Sequence, residues 1–225
     1  MTWLSDFLAN PVIQQKFPLA TLETLQMVGV SSLLTVLLGL PLGLLLHSTA
    51  PGGLTPSRAV SSVVGIVVNI GRSLPFVILM IAVIPFTRLV VGTSLEWKAA
   101  VVPLTLGAVP FFARLVETAL REVSPGKVEA ARVMGSTRTK ILRAVLVREA
   151  LPGLVAGLTV TVIALIGYSA MAGVIGAGGL GALAISYGYQ RFDVQVMIAC
   201  VIVLVAIVQL VQVLGDALAR RLDHR

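Results

Sequence analysis

The sequence predicts an all-α integral membrane protein with five transmembrane helices. Three observations support this class: 57% of the 225 residues are apolar, only 12% are charged, and several apolar runs are long. A soluble domain has about 25% charged residues, and a membrane-spanning helix needs about 20 apolar residues. The mean hydropathy of +0.99 agrees with this class. We expect residues 1–225 to form a single transmembrane domain, because the spans leave room for little else.

The apolar runs define the spans in chain order. They place the five helices at about residues 19–46, 59–91, 97–118, 150–172 and 194–215. The first run ends before the turn-rich stretch HSTAPGG. The second run is too long for a straight span and too short for two spans joined by a turn. We therefore expect one helix kinked near Pro75, with its early part at the interface or inside a bundle.

The basic residues predict the orientation. They concentrate between the third and fourth spans, at about residues 121–149, and in the C-terminal tail. These residues are Arg121, Lys127, Arg132, Arg138, Lys140, Arg143, Arg148, Arg220, Arg221 and Arg225. Such charges favour the cytoplasmic side, so we expect the N-terminus outside and the C-terminus in the cytoplasm. This placement accounts for the net charge of +7 without a nucleic-acid partner.

The cytoplasmic segment predicts a short helix. Ser124 suits the N-cap and Pro125 the first helical position. Gly135 can adopt the left-handed conformation that ends a helix, and Ser136 or Thr137 can cap the next one. We expect a helix of about ten residues, roughly 15 Å long.

Three residues of this helix suit contact with a partner. Ala130 and Ala131 are small and are expected at the surface, where another backbone can approach closely. Glu129 can pair with a partner's cation, or it can simply favour the helix dipole. An ordinary amphipathic connector would have the same composition, so these residues alone leave both interpretations open.

The chain offers no pattern for catalysis or for a metal. Its two histidines, His47 and His224, lie at a loop and at the tail. The sequence has no G-x-S-x-G motif and no cysteine and carboxylate cluster. It also has no G-x-x-x-x-G-K-[ST] loop for nucleotide phosphates. We expect no catalytic residue, no metal and no cofactor bound by this chain.

The stretch GVIGAGGLGALA, residues 173–184, contains Gly176, Gly178 and Gly181 in the spacing G-x-G-x-x-G. That spacing indicates a dinucleotide site only between a strand and a helix. Here it follows an apolar span, so the nucleotide interpretation is rejected. Five glycines within residues 173–181 should instead loosen or break the helix.

The cytoplasmic segment carries a family resemblance. Glu129, Ala130 and Ala131, followed by Gly135, resemble the EAA loop of ABC-importer permease subunits. The chain departs from that pattern at Val145 in place of isoleucine, and at Val147-Arg148 in place of Leu-Pro, with a displaced Leu151-Pro152 beyond. Longer stretches resemble the permeases of methionine importers. These are NIGRSLPF (69–76), IPFTRLVVGTS (84–94), VPLTLGAVPFFARLVE (102–117) and GYSAMAGVIGAGGLG (167–181).

The resemblance implies a type I ABC importer permease fold in a bacterial cytoplasmic membrane. It implies a homodimer, two cytoplasmic ATPase subunits that hold ATP and Mg²⁺, and an external methionine-binding (lipo)protein. The helix between the third and fourth spans would be the coupling helix, with Glu129, Ala130, Ala131 and Gly135 as the ATPase-coupling residues. The substrate would be L-methionine, with D-methionine left open. Alternatives are a permease for another small amino acid or amphipathic solute, and a secondary transporter without an ATPase.

Several residues are candidates for the translocation path or its gate. Arg72 and Asn69 are polar groups inside an apolar run, where they can face a bundle interior, although Arg72 can equally extend to the interface. Pro75 marks the kink. Tyr168, Ser169 and Met171 combine modest polarity with adaptable apolar surface, but helix packing explains them as well. Gly178 and Gly179 are expected in a flexible element of the outer gate or of the platform for the binding protein.

Overall fold

The computed structural model describes residues 9–223, and all regular structure within that range is helical. The predicted outside N-terminus (residues 1–8), His224 and Arg225 lie outside the described residues. The helices are α1 (Pro11–Gln15), α2 (Phe17–Thr49), α3 (Arg58–Ser73), α4 (Phe76–Ala82), α5 (Ile84–Val91), α6 (Glu96–Arg121), α7 (Pro125–Val133), α8 (Val147–Ala172), α9 (Gly179–Leu183) and α10 (Val194–Leu222). A turn at Arg138–Lys140 and a π-helix at Ile141–Leu146 lead into α8, and a second π-helix, Ala184–Tyr189, follows α9.

Four of the predicted spans are confirmed. Four stretches within residues 9–223 are helical and apolar enough to cross a membrane: α2, α6, Arg138–Ile175 and α10. The predicted ranges 19–46, 97–118, 150–172 and 194–215 each lie inside one of them. A fifth span exists if α3 and α4 together count as one broken span.

The predicted second span, one helix kinked near Pro75, is wrong in form. Residues 59–91 fold as the three helices α3, α4 and α5. Proline lacks a backbone N–H and disfavours the α conformation of the residue before it, so the chain leaves the helix at Leu74. The chain breaks again at Val83, ahead of Pro85 in the first turn of α5. Two breaks divide this run, and a kink does not describe them.

The residues form two compact units. The first unit comprises residues up to Leu34, Leu74–Leu106 and Val162–Val211, and the second comprises Thr35–Ser73, Gly107–Thr161 and residues from Gln212 onward. The first has a core of Ala20, Leu180, Leu183, Val196 and Cys200. The core of the second comes from the turn after α2, from α6 and the residues that follow it, from α7, from the π-helix before α8 and from α8 itself. It consists of Leu54, Phe112, Val116, Ala119, Leu120, Val123, Ala131, Ile141, Leu146, Ala150 and Leu154.

The glycine-rich stretch after α8 breaks the helix as expected. A short 3₁₀ turn, Gly173–Ile175, follows α8, and Gly176, Gly178 and Gly179 take positive φ angles of 90°, 79° and 76°. The chain then packs against itself. A Cβ on Gly173 would lie 2.2 Å from the Ala182 nitrogen, and one on Gly181 would lie 2.3 Å from the Ala170 carbonyl oxygen. Only glycine fits at this crossing.

Gly181→Ala is therefore expected to destabilise the first unit, since its Cβ would overlap backbone that cannot move aside. Gly167→Ala is the matched control, because Gly167 lies in α8 and a Cβ added there would have no neighbour within 4 Å, and alanine is the better helix former. The measurement is the midpoint of thermal unfolding in detergent, by loss of monodisperse protein. We expect a lower midpoint for Gly181→Ala and an equal or higher one for Gly167→Ala. Equal midpoints for the wild type and Gly181→Ala would contradict the tight crossing.

Candidate functional site

The predicted short helix between the third and fourth spans is present as α7, nine residues from Pro125 to Val133. Ser124 occupies the N-cap position, but its side chain makes no capping hydrogen bond, which corrects the expected cap. Gly135 has a φ of 75° and donates its N–H to the Arg132 carbonyl at 2.9 Å, as a C-terminal glycine should. Thr137 caps the next turn by accepting from the Lys140 N–H at 3.3 Å.

The two alanines of α7 face opposite environments. Glu129 and Ala130 are exposed, whereas Ala131 is only 4% exposed and belongs to the core of the second unit with Leu120 and Ile141. The expected placement of Ala131 at the surface is wrong, because tertiary packing turns that side of α7 inward. Ala131 packs α7 against the core of the second unit and is not available for contact with a partner.

The outer side of α7 ends in exposed apolar side chains. Val133 is 84% exposed and Met134 is 77% exposed. Together with Glu129 and Ala130 they form a surface, here called the α7 face, that carries one carboxylate and two large apolar groups. Exposed apolar groups clustered on a short helix indicate a protein contact. Sequence reasoning missed Val133 and Met134, although their position before Gly135 was a usable signal.

Side chains also tie α7 to the elements around it. Lys127 forms an ion pair with Glu149 of α8, at 2.5 Å between Nζ and Oε2. Such exposed pairs add little stability, and this one joins α7 to the first turn of α8. A cavity of about 720 Å³ opens beside α7, and its lining includes His47, Arg121, Glu129 and Arg132.

An ionic cluster around one buried carboxylate lies in the second unit. Glu117 of α6 is 3% exposed and pairs with Arg114 and Arg121, each at 2.5 Å. Arg114 also donates to the Asn69 side-chain oxygen of α3 at 2.7 Å. The cluster therefore joins α3 to α6 and leaves one positive charge in excess. A buried carboxylate persists when it is paired and hydrogen-bonded.

Sequence reasoning missed Arg114, Glu117 and the bond to Asn69. Two charges spaced three residues apart in the apolar run VPLTLGAVPFFARLVE were a signal. The partner on α3 is 45 residues away, and no local pattern predicts it.

The other path candidates lie in different environments. Arg72 is exposed in the last turn of α3, and Pro75 precedes α4. The Tyr168 ring stacks on Phe76 with 4.4 Å between centroids and 9° between planes. Ser169 is 1% exposed and donates to the Ile166 carbonyl, so its hydroxyl is satisfied by helix packing, whereas Met171 is 45% exposed. The structure thus brings Tyr168 close to the Pro75 break and buries Ser169.

The glycine-rich stretch is held in place from α2. The Gly179 N–H donates to Glu23 Oε2 at 2.7 Å, and the Leu180 N–H donates to Thr24 Oγ1 at 2.9 Å. A Cβ on Gly178 would lie 2.6 Å from Glu23 Oε2. The Glu23 carboxylate thus satisfies the first free N–H of α9. Their part in a gate stays a prediction.

A polar cluster in the first unit surrounds Tyr187, which follows α9. The Lys16 ammonium donates to the Tyr187 hydroxyl, and the Arg191 guanidinium lies 4.3 Å from its ring centroid. The hydrogen bond from Lys16 lowers the pKa of Tyr187, and the charges of Lys16 and Arg191 lower it further. Nearby, Asn10 donates to Asp193 at 3.1 Å. This cluster combines cations and aromatic surface.

Within residues 9–223, no group of three or more His, Cys, Asp and Glu side chains could hold a metal ion.

Four long apolar helices, with a possible fifth span in the broken run of α3 and α4, define a multi-pass membrane protein. A family described as "Binding-protein-dependent transport system inner membrane component" matches residues 39–225, and the chain belongs to that family. It is a multi-pass protein of the bacterial inner membrane.

Relatives cover nearly the whole chain. A protein from Vibrio cholerae named "Probable D-methionine transport system permease protein MetI" is 51% identical over 206 residues, 92% of each chain. The "Methionine import system permease protein MetP" of Bacillus subtilis is 47% identical over 181 residues, 80% of this chain and 82% of that one. A solved structure of "inward facing conformations of the MetNI methionine ABC transporter" matches with a TM-score of 0.94 and 46% identity, covering 96% of this chain and 100% of that chain.

The ionic cluster predicts a stability effect. Glu117→Gln keeps the size of the side chain but leaves Arg114 and Arg121 without a counter-charge, so we expect a loss of about 1–3 kcal/mol and a fall in the unfolding midpoint of several degrees. Glu122→Gln is the control, because Glu122 is exposed and makes no ion pair within residues 9–223. Thermal unfolding of the two detergent-purified variants measures this. Equal unfolding midpoints for Glu117→Gln and Glu122→Gln would show that the ionic cluster adds no stability.

The Tyr187 cluster predicts a titration effect. Lys16→Met removes the donor and a positive charge, both of which favour the phenolate, so the pKa of Tyr187 should rise. Nuclear magnetic resonance of protein with isotope-labelled tyrosine measures the titration, and Tyr187→Phe assigns the signal. Lys98→Met is the control, since Lys98 lies over Trp97. An unchanged pKa in Lys16→Met would show that the hydrogen bond does not exist in the membrane protein.

Proposed function

We propose that this chain is the membrane permease subunit of an ATP-driven importer that carries methionine across the cytoplasmic membrane. The observation that carries the proposal is α7, a short helix whose inner side is built into the core of the second unit and whose outer side is exposed. An external binding protein would deliver the substrate, and two separate ATPase subunits, with ATP and Mg²⁺, would drive the movement. The subunit would act as a homodimer.

Contacts within the second unit support a five-span topology. Leu54, just after α2, packs in one cluster with Val123, just after α6. The ends of α2 and α6 therefore lie on the same side of the membrane. Since α6 crosses the membrane, its start lies on the opposite side, and the broken run α3 to α5 must cross between them. With the basic segment in the cytoplasm, this path supports the proposed orientation, with the N-terminus outside and the C-terminus inside.

The α7 face fits the role of a coupling helix. Movement of an ATPase can reach the spans only through an element that is stiff and joined to them. Ala131 anchors α7 beside Leu120 and Ile141, and Lys127 ties it to Glu149. Glu129, Ala130 and Met134 remain free to meet the ATPase, and Gly135 ends the helix so that the chain can turn back toward α8.

The substrate rests on the relatives, which are named as methionine permeases. Neither the cavity beside α7 nor the cavity at the end of α2, both in the second unit, identifies methionine by its chemistry. Another small amino acid or an amphipathic solute remains the alternative substrate class, and a secondary transporter without an ATPase remains the alternative mechanism.

The direct test is uptake by proteoliposomes that contain this chain, its ATPase and the binding protein. We expect accumulation of labelled methionine that requires ATP, the ATPase and the binding protein, and unlabelled L- and D-methionine as competitors show the stereochemical range. Uptake without ATP would favour a secondary transporter. Strong competition by a different amino acid, with none by methionine, would replace the proposed substrate.

The coupling role predicts different outcomes for two neighbouring alanines. Ala130→Arg places a large cation on the α7 face without disturbing the core, so the protein should fold normally while its affinity for the ATPase falls about tenfold or more. Ala131→Arg should fail to fold, because its side chain enters the core. Co-purification with a tagged ATPase and size-exclusion chromatography measure the two effects.

Ala144→Arg is the matched control for that experiment, since Ala144 is exposed in the π-helix before α8 and lies outside α7. It should retain the ATPase. Full ATPase binding and full uptake by Ala130→Arg would place the contact elsewhere.

A further inference from the structure

An apolar groove opens on the second unit where α2 ends. Its volume is about 350 Å³. The last turns of α2, the turn that follows and the π-helix before α8 supply its apolar wall, which consists of Pro41, Leu44, Leu45, Leu54 and Leu142. No proposed step of transport uses this groove, and it lies apart from the α7 face.

One end of the lining is polar and positively charged. Arg138 and Thr139 lie on the rim, together with Thr55. Arg138 is exposed and has no ion-pair partner within residues 9–223. None of the residues that line the groove is acidic. The groove therefore presents an uncompensated positive charge beside an apolar channel.

A buried hydroxyl in the lining lacks a partner. Ser48 is 8% exposed, and its Oγ makes no hydrogen bond within the described part of the chain. The neighbouring Thr49 satisfies its hydroxyl by donating to the Leu45 carbonyl at 2.8 Å. An unpaired buried hydroxyl is unfavourable, so an occupant that offers an acceptor to Ser48 would be stabilised.

The groove continues an exposed apolar surface of α2. On the same helix, Leu37 is 58% exposed, Leu38 is 55% exposed and Leu45 is 41% exposed. Exposed leucines along a membrane span contact acyl chains. The groove thus begins beside these exposed leucines and ends at Arg138, near the end of α2.

We propose that this groove binds an anionic phospholipid of the inner leaflet. One acyl chain lies along the leucine wall, the phosphate meets Arg138 and the Thr139 hydroxyl, and the Ser48 side chain, whose Oγ is enclosed by protein in this structure, turns to donate to an ester carbonyl. Arginine is well suited to phosphate because its guanidinium donates in a fixed fork. The exposed lipid-facing leucines favour this occupant over a second copy of the chain or an ATPase segment.

Photoreactive lipids test the proposal on the complete complex in proteoliposomes. Phosphatidylglycerol and phosphatidylcholine, each with the same photoreactive group in one acyl chain, are irradiated, and labelled peptides are mapped by mass spectrometry. In wild-type protein, phosphatidylglycerol should label residues 41–55 and 138–142 about fivefold more than phosphatidylcholine, the factor expected for one basic residue near a membrane surface.

Variants assign the effect to the groove. Arg138→Gln should remove the excess of phosphatidylglycerol labelling, and Leu45→Trp, which fills the channel, should lower labelling by both lipids at this site. Arg143→Gln should keep the excess, because Arg143 carries the same charge in the same segment but does not line the groove.

Three outcomes would overturn the proposal. Equal labelling by both lipids in the wild type would mean ordinary contact with bulk lipid. Absence of labelling by either lipid would mean that protein, a second copy or the ATPase, covers the groove. If Arg138→Gln keeps the excess of phosphatidylglycerol labelling, the headgroup does not bind Arg138. The readout is binding alone, so it is independent of whether the complex transports methionine.

Discussion

The interior of a membrane offers no water to satisfy polar groups, and this constraint explains the main features of the chain. Where the helix breaks after α8, the free N–H groups of Gly179 and Leu180 find acceptors on Glu23 and Thr24. Where a carboxylate lies buried in α6, Glu117 is held between two arginines. At these two places the free backbone N–H groups and the buried carboxylate have partners within the protein, which keeps irregular backbone and charge compatible with lipid.

The position of α7 depends on its packing against the core of the second unit. A nine-residue helix is too short to be stable alone in water, so it depends on the core beneath it. Ala131 provides that attachment because a larger side chain would not fit beside Leu120 and Ile141. A helix fixed on one side and exposed on the other can pass the displacement of a partner to the spans. This arrangement links packing in the second unit to the proposed coupling.

The sequence predicts the positions of the spans well, because bilayer thickness sets their length. It does not predict contacts between residues that lie far apart in the chain. Apolar length places residues 97–118 and 194–215 within their spans, since about 20 apolar residues must cross the membrane whatever they pack against. The prediction for residues 59–91 is wrong because it treats Pro75 as a kink, although proline also restricts the residue before it. The inward side of Ala131 and the bond between Glu23 and Gly179, 156 residues apart, depend on tertiary packing. A helical pattern predicts that a short helix forms, but its neighbours decide which side faces inward.

If α7 couples the ATPase to the spans, α7 and the core of the second unit must move as one body. Spin labels at Arg132→Cys, an exposed position of α7 outside the α7 face, and Val160→Cys, both in only one of the two subunits and in a Cys200→Ser background, report the distance between α7 and α8 by pulsed electron paramagnetic resonance. The complete complex is measured without nucleotide and with ATP trapped on a hydrolysis-deficient ATPase. A rigid attachment of α7 to its core predicts the same distance distribution in both states. A shifted or broadened distribution with ATP would show that α7 moves against its core, which would contradict transmission through a rigid attachment.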